Sequence, residues 1–183
     1  MKTKLFFIMA FSCLMMSFYG QAQRYYGQWT ISGGSGYGNE GWHINISGEK
    51  YIGRTLSAIK TSFKFTRQKE QFDEWKFPIN RYILNLSYFY SLERYMSSKI
   101  FINAGGGFFI GGEDFRPIQL PYGVVQVEGN KFCTGLFIYP QIEFIFKEGG
   151  NIVGYFEPQI AYDFLTRLNK FQYSASIGIK YYF

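Results

Sequence analysis

Residues 171–183, FQYSASIGIKYYF, alternate two kinds of side chain with a period of two. Every second residue from Phe171 to Phe183 is apolar or aromatic, and the residues between them are mostly small or polar. A period of two with one apolar face predicts a β-strand. Because one face is apolar and the other polar, the strand suits a position between lipid and the hydrophilic interior of a barrel.

The printed sequence ends on this strand, with Tyr181 and Phe183 on its apolar face. A terminal aromatic residue on an amphipathic last strand resembles the C-terminal recognition signal of bacterial outer-membrane barrels. A soluble β-sandwich can also end on a strand of this kind, so the last strand leaves both folds open. The pattern of the remaining strands has to distinguish them.

The same alternation recurs along the chain and predicts eight strands, while no segment is a good candidate for a helix. The predicted strands cover residues 28–37, 41–51, 54–66, 80–92, 99–111, 132–146, 151–164 and 171–183. Most of them are long enough to cross a bilayer when tilted, which takes about 9–11 residues.

The connections between the predicted strands alternate in length. Those after the second, fourth and sixth strands are short, whereas residues 67–79 and 112–131, after the third and fifth, form long polar connections. Short connections at one end and long ones at the other are typical of an outer-membrane barrel whose long loops lie outside the cell. We therefore predict an all-β fold, an eight-stranded antiparallel up-and-down transmembrane β-barrel.

Residues 1–22 have the pattern of a secretory signal peptide that precedes a single barrel domain, residues 23–183. Lys2 and Lys4 give a basic start, an apolar run follows over residues 5–19, and small residues lead to cleavage after Ala22. The apolar run is too short for a comfortable membrane helix. Cys13 raises the alternative of a lipoprotein, but the residues before it make a poor lipobox. We expect cleavage during secretion, followed by insertion into outer-membrane lipid.

Aromatic residues make up 22% of the chain and charged residues only 17%, which is below the usual quarter. Tyr and Trp favour the boundary between membrane and water, where a barrel carries its aromatic girdles. Outside residues 1–22, the 17 basic and 13 acidic side chains are scattered, without a basic cluster. The charge pattern therefore gives no indication of direct binding to nucleic acid.

An eight-stranded barrel is just wide enough for its own side chains to fill, so we expect a filled interior without an aqueous channel. The inward faces of the predicted strands carry acidic and basic side chains, which must pair because unpaired buried charge is costly. The expected structural charge network includes Lys60, Lys64, Glu143, Glu157, Asp163 and Lys180. A relay for protons or ions is the alternative interpretation.

No motif in the sequence predicts catalysis, a cofactor or a metal. The single histidine, His43, faces the same side as Ser47, but residues four apart in a strand are about 13 Å apart, so the two cannot act as nucleophile and base. Glu113 and Asp114 are a weak metal signal, because they are only two adjacent carboxylates in a predicted loop. Cys133 is expected to be a small barrel residue. We therefore expect a protein that is not an enzyme.

Two prolines fall inside predicted strands, where a missing N–H costs a ladder hydrogen bond. If the turn between the two strands is centred on Gly149, Pro140 and Pro158 lie directly opposite each other. We therefore predict that both missing donors fall at one place in the sheet, which concentrates the loss at one bulge or one gap.

Several short motifs follow one another from about Phe63 to the end of the chain. They are Phe77-Pro78-Ile79 followed by Tyr82 and Tyr88, Gly105, Gly112-Glu113, Leu120-Pro121-Tyr122-Gly123, Asn130-Lys131-Phe132 with Gly135, Glu143, and Gly178-Ile179-Lys180. In their order and spacing they resemble the TraO family of conjugative-transposon transfer proteins from Bacteroides-type bacteria. The resemblance implies a non-enzymatic outer-membrane component of a conjugative DNA-transfer apparatus, with other proteins of that apparatus as partners.

In this interpretation the barrel is a rigid anchor that presents residues 67–79 and 112–131 at the cell surface. Exposed aromatic side chains are the usual anchors of a protein interface. The candidate loop contacts are Phe72, Trp75, Phe115, Leu120 and Tyr122. The alternative is that these side chains fold back over the barrel mouth. Two other functions stay open, a general barrel for adhesion or envelope structure and a lipid-modifying outer-membrane enzyme.

Overall fold

The structure is a computed structural model of the chain. It describes residues 26–52, 57–72, 75–92, 100–115, 118–120, 123–125, 131–146, 150–166 and 169–183. The predicted signal peptide, residues 1–22, lies outside the described residues. Nothing in these ranges is a helix long and apolar enough to cross a membrane.

The period-two pattern predicts the strands well, and eight of them form a closed barrel. The ten strands are β1 (Trp29–Gly38), β2 (Gly41–Ile52), β3 (Ser57–Phe72), β4 (Trp75–Ser91), β5 (Ile100–Phe115), β6 (Ile118–Leu120), β7 (Gly123–Val125), β8 (Lys131–Ile145), β9 (Ile152–Asp163) and β10 (Phe171–Tyr182). The barrel order is β1-β10-β9-β8-β5-β4-β3-β2, and every neighbouring pair is antiparallel. The predicted eight-stranded up-and-down barrel is therefore confirmed.

The register fixes the tilt of the strands. A row of paired residues that starts at Ile102 in β5 passes once round the barrel and returns to β5 at Gly112, ten residues further along. Such a stagger belongs to strands inclined by roughly 40° to the barrel axis. We call the end that carries Trp29 and Phe183 the terminal end, and the opposite end the outer rim.

The strands β3, β4 and β5 extend beyond the ends that the sequence pattern predicts. β3 and β4 stay paired as far as Phe72 opposite Trp75, so most of the predicted loop 67–79 is a β-hairpin. β5 continues to Phe115, and the short hairpin β6–β7 lies within the predicted loop 112–131. Both corrections have one cause. Strand pairing gives every backbone N–H and C=O a partner without needing an apolar face, so polar strand extensions escape an alternation search.

The outward face of the barrel is apolar around its middle. Side chains there are aliphatic or phenylalanine and are between 39% and 64% exposed. They are Ile31, Ile44, Ile46, Phe63, Leu84, Leu86, Phe108, Ile110, Leu136, Ile138, Ile160, Ile177 and Ile179. A continuous band of this kind is what a bilayer covers and what water would not tolerate on a soluble protein.

Exposed aromatic side chains border this band at both ends. Those towards the terminal end are Trp29, Tyr88, Tyr90, Phe144, Phe146 and Phe183. Those towards the outer rim are Tyr37, Trp42, Tyr82, Phe132, Phe164, Phe171 and Tyr173. Two aromatic girdles around an apolar band are typical of a transmembrane barrel, because aromatic rings favour the two membrane–water boundaries. The alternative of a soluble sandwich, which would bury this face, is excluded.

The register places Pro140 opposite Pro158. The β8–β9 ladder is paired from Gly135↔Asp163 to Ile138↔Ile160 and again from Ile142↔Phe156, and both segments share one register. The Phe164 N–H donates to the Thr134 carbonyl at 2.8 Å, so even-numbered β8 residues point their backbone polar groups towards β9. Both missing donors therefore belong to the same rung, and the predicted single gap is confirmed.

Candidate functional site

Arg81 is the centre of a buried charge cluster near the outer rim. It lies on the inward face of β4 and is fully buried. Its Nη1 is 3.2 Å from Glu40 Oε2, its Nε is 3.1 Å from Glu113 Oε1, and its Nη2 is 2.7 Å from Asp163 Oδ2. One guanidinium thus holds three carboxylates from three separate elements, the β1–β2 turn, β5 and β9.

Lys64 and Thr166 complete this outer cluster. The Lys64 ammonium forms an ion pair with Glu40 and also donates to Ser174 Oγ at 3.2 Å. Thr166 Oγ1 donates to Glu113 Oε1 at 2.8 Å. Each carboxylate around Arg81 therefore accepts at least one further hydrogen bond or ion pair, which offsets part of the cost of burying it.

Glu40 is the only charged member of the described cluster outside the strands, in the turn between β1 and β2. Burial by itself would raise the pKa of its carboxyl, but the positive charges of Lys64 and Arg81 outweigh burial and bring the pKa below its ordinary value of 4.5. Glu40 is therefore ionised at neutral pH and fastens this turn to the barrel interior.

Lys180 is the centre of a second cluster, towards the terminal end. Its Nζ is 2.6 Å from Glu49 Oε2, 2.6 Å from Glu143 Oε1 and 3.0 Å from Gln141 Oε1. Glu143 also accepts from the Tyr182 hydroxyl at 2.6 Å. The last strand, β10, is thus tied by its inward residues to β2 and β8.

Lys60 extends this inner cluster towards the middle of the barrel. It forms an ion pair with Glu157 and lies 3.9 Å from Glu49 Oε1. Its Nζ is also 5.0 Å from the centre of the Tyr139 ring, a distance at which a cation is attracted to the ring face. Gln141 Nε2 donates to Glu157 Oε2 at 2.6 Å, which joins Lys60 to the contacts of Lys180.

All six residues of the predicted charge network lie inside the barrel, none more than 9% exposed. Four further charged residues of the two clusters were not in the predicted network: Arg81, Glu40, Glu49 and Glu113. Arg81 alternates with outward Tyr82, so the face assignment already placed it inward. Glu113 was missed because the predicted strand ended at Gly111, and nothing in a two-residue turn shows which way Glu40 points.

The two clusters and a set of interior aromatic side chains together fill the described interior of the barrel. Two small cavities lined by described residues lie between the clusters, and each offers about 10 Å³ to the centre of a water molecule, room for about one water. Interior aromatic rings occupy much of the rest, and they pack over glycines. Where Phe109 crosses Gly135, a Cβ on Gly135 would lie 2.7 Å from the ring. The described interior therefore holds side chains where a porin would hold a channel.

The five candidate loop contacts are described by the structure to different extents. Phe115 is the last residue of β5 and only 6% exposed, so the structure does not offer it as a surface contact. Phe72 and Trp75 are paired in the register at the end of the β3–β4 hairpin, and Leu120 ends β6. The side chains of these three residues lie outside the described part of the structure. Tyr122 lies outside the described residues.

His43 is fully buried and does find a hydroxyl partner, on another strand. Its Nε2 is 2.7 Å from Ser176 Oγ, whereas Ser47 pairs with Ser32. Gly36 lies beneath the ring, where a Cβ would come within 2.6 Å of Nε2. Ser176 is 5% exposed and His43 is fully buried, so the pair is enclosed within the described part of the barrel. The geometry is that of a buried interior histidine held through Nε2, while its Nδ1 has no hydrogen-bond partner among the described residues.

Glu113, Cys133 and Asp163 bring three potential metal ligands within 4.8 Å of one another, and all three are buried. Arg81 already occupies this group, because its guanidinium contacts a carboxylate oxygen of both Glu113 and Asp163. A metal ion would have to displace the Arg81 guanidinium from both carboxylates. The donor set therefore does not fit a resident metal.

The C-terminal residues lie at the terminal end of β10. Phe183 is 63% exposed and its ring packs edge-to-face on Tyr181, with 4.9 Å between the ring centres. The Phe183 N–H donates to the Trp29 carbonyl at 3.0 Å. The aromatic pair thus borders the seam between the first and last barrel strands.

Fold and site together define a class, the eight-stranded barrels with an apolar outer belt and a polar filled interior. The sequence matches no protein-family model and no curated protein. Three solved structures share the fold, and the likeness extends to the fold alone because sequence identity is low. The N-terminal barrel domain of Pseudomonas aeruginosa OprF has a TM-score of 0.54 at 11% identity, covering 86% of this chain and 98% of that domain. Yersinia pestis Ail has a TM-score of 0.54 at 14% identity, covering 87% of this chain and 100% of that chain. Neisserial surface protein A has a TM-score of 0.57 at 12% identity, covering 85% of this chain and 95% of that chain.

Proposed function

We propose that the protein is an integral barrel of the bacterial outer membrane with a structural or surface-binding role. The single observation that carries the proposal is the outward face, an apolar band between two aromatic girdles on a closed barrel. A closed barrel leaves no unpaired sheet edge, which is the condition for crossing lipid with strands. Outer-membrane barrels among its structural neighbours support the same location.

The filled interior supports a scaffold in preference to a channel or an enzyme. The interior is occupied by ion pairs, and its one histidine–serine pair is enclosed. Function then belongs to the outer surface and the rim, where other molecules have access. One structural neighbour, Ail, is the attachment invasion locus protein of Yersinia pestis, a name in keeping with a surface-binding role for a barrel of this size.

Membrane fractionation together with a heat-modifiability gel tests this proposal. The full-length protein should appear in outer-membrane fractions and migrate faster unheated than boiled, because a folded barrel resists sodium dodecyl sulfate. A soluble fraction, or identical migration before and after boiling, would contradict the proposed location. A His43→Ala variant with unchanged lipid A profiles would support the non-enzymatic role, and an altered profile would favour the enzyme.

As a second candidate we infer a role in a conjugative DNA-transfer apparatus, on the resemblance to the TraO family. Two carriers of that resemblance, Glu143 and Lys180, form the 2.6 Å ion pair of the inner cluster. A barrel of any function can use such an interior ion pair, so these two residues do not themselves indicate DNA transfer. The inferred transfer role therefore rests on the order and spacing of the motifs that resemble the TraO family. Transfer genes beside the coding sequence would support it. Normal transfer frequency after deletion of the gene would exclude it.

A further inference from the structure

A cleft opens on the outward face of the barrel at the outer rim. Three of its residues form one cross-strand row, Tyr37 on β1, Trp42 on β2 and Arg67 on β3. Tyr37 is 72% exposed and Trp42 is 45% exposed. The cleft has a volume of about 300 Å³, and its lining comprises Tyr37, Asn39, Gly41, Trp42, Arg67, Gln68 and Lys69.

A glycine allows the strands to approach below this cleft. Gly41 begins β2 with a φ of +89°, a backbone conformation that other residues rarely adopt. A Cβ there would lie 2.4 Å from the Arg67 carbonyl oxygen. Asn39 fixes the adjoining turn, because its side chain donates to the Phe171 carbonyl and accepts from the Tyr173 N–H, both at 2.9 Å. The cleft is therefore part of the folded barrel and does not depend on a mobile loop.

The cleft is positively charged. Arg67 and Lys69 are both exposed and point outward from the same face of β3, about 7 Å apart along the strand. Among the described residues, neither has a carboxylate within ion-pair distance. Outward Asp114 is separated from Arg67 by the whole of β4, about 10 Å away. Two cations thus stand beside two aromatic rings at the level of the outer girdle, facing lipid headgroups.

We propose that this cleft binds the phosphate of a phosphorylated saccharolipid, of the lipid A class, in the outer leaflet around the barrel. The inference rests on the proposed outer-membrane location. A guanidinium presents paired N–H donors that match phosphate oxygens, and an ammonium adds a second charge. The Trp42 and Tyr37 rings lie at the boundary where sugar and acyl chains meet. The occupant is therefore an anionic lipid headgroup held by charge and by ring contact together.

The terminal end of the same sheet supplies a matched control. Lys50 also points outward from β2 beside a tryptophan, with its Nζ 4.9 Å from the centre of the Trp29 ring. It therefore shares the exposed cation and indole with the cleft. Lys50 belongs to the opposite membrane leaflet, so removing its charge should not change binding to an outer-leaflet lipid.

The experiment uses the purified full-length barrel in phosphatidylcholine nanodiscs that contain a small fraction of bisphosphorylated lipid A. Native mass spectrometry measures how much lipid A remains bound, and a dephosphorylated lipid A provides the second arm. The wild-type protein should retain bisphosphorylated lipid A, with dephosphorylated lipid A bound about tenfold more weakly. The variant R67A/K69A should lose a similar factor, and K50A should match the wild type.

Three results would overturn the inference. Equal retention of phosphorylated and dephosphorylated lipid A would show that phosphate is not recognised, and equal losses in R67A/K69A and K50A would show that any outward cation suffices. A variant that retains lipid A like the wild type would place the site elsewhere. In each of these cases, a heat-modifiable band from the protein in phosphatidylcholine nanodiscs without lipid A would still support the proposed membrane location. A protein that fails to insert into those nanodiscs would overturn both proposals.

Discussion

Replacing Arg81 by methionine tests the buried charge network most severely. Methionine keeps much of the side-chain volume but leaves Glu40, Glu113 and Asp163 without their shared cation. Each of these contacts lies between 2.7 and 3.2 Å. At the effective dielectric of protein sites, one such pair is worth about 4 kcal/mol before desolvation is counted.

The net loss is smaller than three such pairs, because the carboxylates keep other partners. Glu40 retains Lys64, Glu113 retains Thr166, and Asp163 accepts from the backbone N–H groups of Leu165 and Thr166 at 3.1 Å each. Removing one partner from a buried pair costs about 3–5 kcal/mol. We expect R81M to lower the free energy of unfolding by about that amount, a large part of the roughly 5–15 kcal/mol available to a domain.

Urea unfolding of the barrel in phospholipid vesicles, followed by tryptophan fluorescence, measures this loss. R67M is the matched control, since Arg67 is exposed on the neighbouring strand and its loss should cost no more than about 0.5 kcal/mol. The triple variant R81M/E113Q/D163N also removes the two carboxylate charges that R81M leaves without a cation. It should recover at least half of the free energy of unfolding that R81M loses. An R81M variant within about 1 kcal/mol of wild type would refute the charge argument. A triple variant no better than R81M would assign the loss to packing.

Three further predictions follow from individual residues. The pKa of the Glu40 carboxyl lies below its ordinary value of 4.5, so its ionisation stabilises the fold above pH 4.5, and this contribution is lost as the pH falls through the folded pKa. Urea unfolding measured at several pH values should therefore show less acid destabilisation for E40Q than for the wild type. Parallel pH curves for the two proteins would contradict this. The variant P140A/P158A should gain two backbone N–H groups that bond across one rung, so hydrogen–deuterium exchange should find both new amides protected, and fast exchange would refute the shared rung. G135A should destabilise the barrel by about 1–3 kcal/mol, because the added Cβ would lie 2.0 Å from the Tyr162 carbonyl oxygen and 2.7 Å from the Phe109 ring. Unchanged urea midpoints would contradict this, because the ring and the β9 backbone would both have to move aside without cost.

Alternation was enough to derive the barrel from the sequence. β10 shows why, since every outward residue from Phe171 to Phe183 is apolar and every inward one is small or polar except Tyr182. A period of two fixes which side chains share a face, and a single closed sheet leaves only two faces to assign. The inward positions of Lys60, Lys64 and Lys180 followed directly from this pattern.

The pairing within the interior could not be derived in the same way. Alternation places Arg81 inside but does not show that it meets Glu113 and Asp163, because that contact depends on the ten-residue stagger around the barrel. The Pro140–Pro158 rung was predictable because one tight turn fixed its register. Where polar strands continue past their apolar stretch, as in β3, the hydrophobic signal stops before the hydrogen bonding does.

The central claim is that the apolar face of the barrel touches hydrocarbon. Spin labels at single cysteines along β4, in a C13S/C133S background and in lipid vesicles, measure contact with oxygen dissolved in the membrane and with a water-soluble nickel chelate. At Leu84 and Leu86 we predict high oxygen and low nickel contact, and at Asn85 and Ser87, which face the interior, low contact with oxygen. Nickel contact at Leu84 and Leu86 equal to that of a label in water would contradict the account.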